Sequence, residues 1–349
     1  MKIVKIFKKL FLGFILLAFS FSASAATKIL NVYNWSNYLP KDVIMQFEKE
    51  TGIHVNYSTY DGNDTLYAKL KADPKAGYDI IVPTSYFVDR MRNEHMLMVL
   101  DKSKLPNFRN LDKALLNKPF DPDNNYSIPY FWGSTGIVVN KKYFDPKTIT
   151  GWADLWNPRF KDQLLILEDP HDVFSIALLT LGYSANDSDP DHIRQAYLKL
   201  KALLPNVKLF NSDAAKVNYI DEDATIGTGY SGDTYQAMQE NPDLVYIYPK
   251  EGFVAWIDCM VIPRYAPHAE SAYKFMNFLM RPDIAAKLSA ELGYASPNKP
   301  ARELLPKAMR DNTAIYPDDK TLARAQFEVD PGNIDMTYEK YMEELKVSA

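Results

Sequence analysis

Asp258 is a carboxylate inside an otherwise apolar run, from Phe253 to Pro263. The run is bounded by Gly252 and Pro263 and reads as a buried strand. An unpaired charge there costs several kcal/mol. Side chains alternate along a strand, so Trp256 and Asp258 share one side. An indole face beside a carboxylate suits a cation carried on an alkyl chain. The carboxylate takes the charge, and the ring takes the methylenes and adds cation–π attraction. Alternatively, Asp258 pairs with a Lys or Arg of its own fold.

A second acidic group sits in Glu168-Asp169-Pro170-His171-Asp172. Here Asp169 fits a helix N-cap, Pro170 the first helical position and Asp172 the third. The helix dipole favours both anions, so capping explains them without a ligand. His171 reads as a first-turn surface residue. With no second His nearby, it gives no metal spacing.

These groups need elements to position them. Lys28 to Tyr33 reads as a strand, Pro40 opens a helix with Val43, Ile44 and Phe47 as its apolar face, and Ile53 to Tyr57 reads as the next strand. Strand–helix–strand units build parallel sheets, whose ligands lie beyond the carboxyl ends of the strands. Such ends recur with rings and small polar residues: Trp35 to Tyr38, Thr84-Ser85-Tyr86 after Tyr78 to Pro83, Asn211-Ser212-Asp213 after Val207 to Phe210, and Tyr230 after Ala224 to Gly229. Ile128 to Val139 reads as a crossover, Trp152 to Pro158 as a helix with a proline stop, and Gly293 ends a helix just before Tyr294. Acidic and aromatic strand ends in both halves of the chain point to a cleft between two α/β lobes. Asp121 to Asn125 opens like a calcium loop, but Tyr126 stands where Gly is needed and Trp132 where Glu is needed, so that reading fails.

The 349 residues are 47% hydrophobic and 13% aromatic, enough for one large or two ordinary domains. Lys2, Lys5, Lys8 and Lys9 precede an apolar stretch from Leu10 to Phe21 and a small-x-small site at Ala23-Ser24-Ala25. This pattern is a secretory signal peptide, residues 1–25, with Ala26 the expected mature N-terminus. Its loss takes the formal charge from −4 to −8. An acidic exported protein argues against nucleic acid or anionic membranes as partners. Cys259 is the only cysteine, so no intramolecular disulfide forms.

Four stretches carry a resemblance: Val32 to Tyr38 (VYNWSNY), Tyr78 to Pro83 (YDIIVP), Tyr126 to Gly133 (YSIPYFWG) and Gly293-Tyr294 with Pro297-Asn298. Together they resemble the bacterial periplasmic spermidine/putrescine-binding proteins, the receptors of polyamine ABC transporters. The likeness runs along essentially the whole mature chain. It implies an α/β, two-lobe periplasmic binding protein fold (type II), each lobe a mostly parallel sheet flanked by helices, with the ligand cleft between them. The lobes would be discontinuous: residues 26–135 with about 256–308, and 136–255 with about 309–349. The resemblance also implies a ligand set of Trp35, Ser36, Tyr38, Ser85, Tyr86, Asp169, Asp172, Ser212, Tyr230, Trp256, Asp258, Tyr294 and Glu328. The family has Trp in place of Tyr230, Glu in place of Asp172 and Gln in place of Glu328, which bears on the choice among putrescine, spermidine and spermine. The expected partners are a small polyamine and the membrane permease and ATPase of an importer. The expected protein is a periplasmic monomer with no catalytic residue, cofactor or metal.

Other readings stay open. A hydrolase would use the same carboxylates as acid and base, yet no activated Ser or Cys constellation accompanies them. The same fold could bind another small cation or report to a sensor. An anion receptor would need cleft Arg or acid-free helix N-termini, and the three aspartates argue against that.

Overall fold

The computed structural model describes residues 28–348; the signal segment lies outside them. Among the described residues ten strands form one hydrogen-bonded sheet: β1 (Lys28–Trp35), β2 (Ile53–Tyr60), β3 (Ile80–Ile81), β4 (Ser127–Asn140), β5 (Leu164–Ile166), β6 (Val207–Phe210), β7 (Ile226–Tyr230), β8 (Leu244–Ile247), β9 (Phe253–Val261) and β10 (Ala325–Phe327). Their order is β2-β1-β3-β9-β4-β7-β5-β6, with β10 on β9 and β8 on β4.

The flanks are parallel, as strand–helix–strand units dictate: β1 with β2 and β3, β5 with β6 and β7. The centre is not. Strands β4 and β9 pair antiparallel from Ser127↔Val261 to Ser134↔Ala255, with a register shift between Pro129 and Phe131. Each runs from one apolar core into the other. Ile128 and Phe131 of β4 and Met260 of β9 pack with Leu30, Val43, Phe47 and Phe275. Farther along, Ile137 and Val139 of β4 and Phe253 and Ala255 of β9 pack with Trp152, Leu164, Phe174 and Tyr338. A chain that crosses and later returns runs the opposite way, so two connecting strands pair antiparallel while each flank stays parallel. Strand β10 makes a third crossing, parallel to β9.

The helices follow the apolar periodicity. Val43 and Phe47 are buried on Lys41–Thr51, which ends at Gly52 in the left-handed region. The helix expected at Trp152 is instead two tight turns, Trp152–Trp156 and Pro158–Phe160. Pro158 lacks the N–H that would continue the first, and Asn157 caps the second.

Candidate functional site

Four strand ends bring their following helices to the junction of the two cores. β1 leads to Trp35–Tyr38, β3 to Thr84 and the helix Ser85–Asn93, β5 to Asp169 and the helix Pro170–Thr180, and β7 to Tyr230 and the helix Ser231–Glu240. Asp258 lies on β9 between them. Its Oδ2 accepts the Tyr38 hydroxyl at 2.7 Å and its Oδ1 the Thr84 hydroxyl at 2.7 Å. The alternative of an internal Lys or Arg partner is therefore overturned: neutral hydroxyls hold this carboxylate. Burial pushes Asp258 up to about 6, against those two hydrogen bonds.

Asp169 is the N-cap, accepting from the backbone of His171 at 2.9 Å and of Asp172 at 3.2 Å. Its other oxygen faces the Tyr86 hydroxyl at 3.5 Å. Asp172 is 3% exposed and accepts from the Thr135 hydroxyl at 2.6 Å, with Tyr230 alongside. Burial, with Asp169 alongside, pushes it up to about 7. His171 is buried, not a surface residue, because its ring packs on Tyr86 and bonds Asp335.

Glu328 follows β10, and its N–H is held by the Ala255 carbonyl at 3.3 Å. It is 4% exposed, and among the described residues its carboxylate has no hydrogen-bond or cationic partner. Burial raises it well above the usual range, and Asp172, Asp169 and Asp258 add to that. It is thus the acid on which both aspartate groups act. No Lys or Arg among the described residues pairs with any of the four. Arg90 goes to Asp330 and Asp335, and Lys346 goes to Glu168.

Rings connect the two ends. Tyr38, bonded to Asp258, meets Tyr294 at 5.7 Å between centroids. Tyr294 meets Trp256 at 5.6 Å, and Trp256 meets Tyr230, which lies beside Asp172, at 6.1 Å. Trp256 and Tyr294 each lie close against a glycine. A Cβ on Gly133 would fall 2.4 Å from the indole, and one on Gly232 2.3 Å from the Tyr294 ring. Gly133→Ala should therefore displace Trp256 and destabilise the fold by about 1–3 kcal/mol; a thermal melt checks this, and an unchanged Tm refutes it.

The remaining expected residues divide. Ser85 is buried with its hydroxyl unpartnered, as is the indole N–H of Trp256. Trp35 packs on Tyr60 and donates to the Val82 carbonyl at 2.8 Å. Ser36 and Ser212 have local partners instead: Ser36 donates to Asp61 at 2.9 Å, and the Ser212 hydroxyl accepts the Glu168 N–H at 2.8 Å. In sequence Thr84 is only part of a polar strand end and Thr135 carries no mark, since a lone Thr gives no signal of the carboxylate it holds. An open groove of about 660 Å³, lined by Met238, Val245, Tyr246, Lys307 and Asn312 among others, includes none of the four acids.

Residues 42–318 match the family described as bacterial extracellular solute-binding protein. The chain is 45% identical over 334 residues to the spermidine/putrescine-binding periplasmic protein of Salmonella typhimurium, covering 96% of each. It is 34% identical over 313 residues to the putrescine-binding periplasmic protein PotF of Escherichia coli, covering 84% of each. Among solved structures, the spermidine/putrescine ABC transporter substrate-binding protein PotD of Streptococcus pneumoniae superposes with a TM-score of 0.82. It shares 36% identity and covers 92% of this chain and 99% of that one.

Proposed function

The chain belongs to the bacterial extracellular solute-binding proteins, a family of receptors and not enzymes, and on that premise we propose that it captures a polyamine, spermidine or putrescine, for an ABC importer. The observation that carries this reading is the series of rings from Tyr38 to Tyr230, with Asp258 bonded to Tyr38 at one end, Asp172 beside Tyr230 at the other, and no cation among the described residues paired with either. A polyamine is the complement: ammonium groups separated by methylenes. Carboxylates read the charges and rings read the chain between them.

We read residues 26–135 with 256–308 as one lobe and 136–255 with 309–349 as the other, hinged where β4, β9 and β10 cross. The ligand set is Tyr38, Ser85, Tyr86, Asp169, Asp172, Tyr230, Trp256, Asp258, Tyr294 and Glu328, with Trp35, Ser36 and Ser212 at the rim. The protein acts in the periplasm as a monomer, released after Ala25, and meets a permease and its ATPase. Among the described residues no helix is long and apolar enough to cross a membrane.

Calorimetric titration of refolded protein with putrescine, spermidine and spermine tests this. Saturable one-to-one binding is expected, and no heat with any polyamine refutes it. Glu328 feels the charge of both aspartate groups, so it suits a mid-chain ammonium, which putrescine lacks. Glu328→Gln should therefore cost spermidine roughly tenfold and putrescine less. Equal losses would remove that role.

A further inference from the structure

The two helices whose first turns face the carboxylate site are joined by one further carboxylate, at the start of the C-terminal helix Asp335–Ser348. Asp335 Oδ2 accepts from Arg90 Nη2 at 2.8 Å, and its Oδ1 meets His171 Nε2 at 3.1 Å. Arg90 also places Nε and Nη2 on Asp330 Oδ1 at 3.1 and 2.9 Å. These pairs are largely covered: the Arg90 side chain is 14% exposed and that of Asp335 16%.

The joint spans two apolar clusters, one around strands β1 to β3 and the other the second core. The Arg90 helix packs through Val88 and Met91 with Tyr33, Tyr60 and Ile81. The Asp335 helix packs through Tyr338, Met342 and Leu345 with Phe174 and Ile176. Tyr86, one turn before Arg90, meets the His171 ring at 4.6 Å. Arg90 has a second task here. Oxygens of Asp64, Asp335 and Glu339 lie within 4.8 Å of one another. Asp64 comes from the Arg90 helix's side, the other two from the second core's, so without Arg90 like charges would face each other across the joint.

We propose that Arg90 and Asp335 form an interlobe latch: positioning residues that touch no ligand but hold the lobes together and slow its release. The inference rests on the receptor reading. Ligand enters an open cleft and the latch forms only on closure, so the latch acts on dissociation and not on association. Arg90→Gln exchanges attraction for repulsion, which salt screens.

Stopped-flow binding of spermidine to full-length mature protein, with small-angle scattering of the same samples, tests it. Arg90→Gln should raise koff by roughly tenfold or more with kon within about threefold, since pairs formed after encounter act on dissociation. It should also increase the radius of gyration. Added salt should narrow the difference from wild type, and Arg90→Lys should recover part of it. A folded Arg90→Gln protein with unchanged koff and scattering overturns the latch. If Arg90→Gln loses its native circular dichroism, Asp335→Asn is read on the same terms. If wild type binds no polyamine while Arg90→Gln still expands, the latch stands and the ligand reading falls.

Discussion

Asp258→Asn lowers polyamine affinity at least roughly tenfold, yet leaves the empty protein more stable at pH 8. Removing one partner of a buried charge pair costs about 2–5 kcal/mol of binding. The amide presents N–H groups where the ammonium needs a full negative charge. Stability runs the other way. Asp258 titrates at about 6 in the fold because it is buried, above the ordinary carboxylate range of about 4. The fold therefore favours its neutral form. Its charge costs stability above pH 6, and the cost vanishes below about pH 4. The amide is neutral throughout, so its advantage is present at pH 8 and gone at pH 4. Thermal melts at both values, with spermidine titrations, check the two halves. Unchanged affinity would remove Asp258 from the site, and a lower Tm at pH 8 would mean that its hydroxyl partners need the charge.

Ligand binding at pH 7 and below expels protons. In the empty site, burial alone holds Asp258 near 6, while burial with neighbouring carboxylates holds Asp172 near 7 and Glu328 well above its usual range. Arriving ammonium groups pull all three down, so bound ligand favours the ionised acids. By linkage, affinity falls as pH drops from 8 to 5, approaching roughly tenfold per unit for each proton displaced. Calorimetry in buffers of different ionisation enthalpy counts the protons, and Glu328→Gln should reduce the count. Affinity flat across this range would mean that the acids are already charged when the site is empty.

Much of this arrangement was legible in the sequence because periodicity and capping are local. The run around Asp258 reads as a strand and is β9. Asp169 reads as an N-cap and accepts from His171 and Asp172 as a cap does. What stayed hidden depends on distant partners. No local pattern shows that Asp258 is held by hydroxyls from residues 38 and 84, or that His171 is covered by Tyr86 and Tyr338. Ser212 follows a strand end as a ligand residue would, but its hydroxyl is taken by the Glu168 N–H, which only the fold brings near. The antiparallel centre was equally out of reach, since apolar runs such as β4 and β9 do not state their direction.

The third crossing strand comes almost last in the chain. Glu328 follows β10, and Asp335 opens the final helix. A polypeptide emerging N-terminus first therefore presents Asp258 and its rings while the closing segment is still missing. Ligand capture has to wait until the segment from Ala325 to Asp335 has emerged. A truncated product, whether from a stalled ribosome or a C-terminal protease, would fail as a receptor even with both apolar cores largely built.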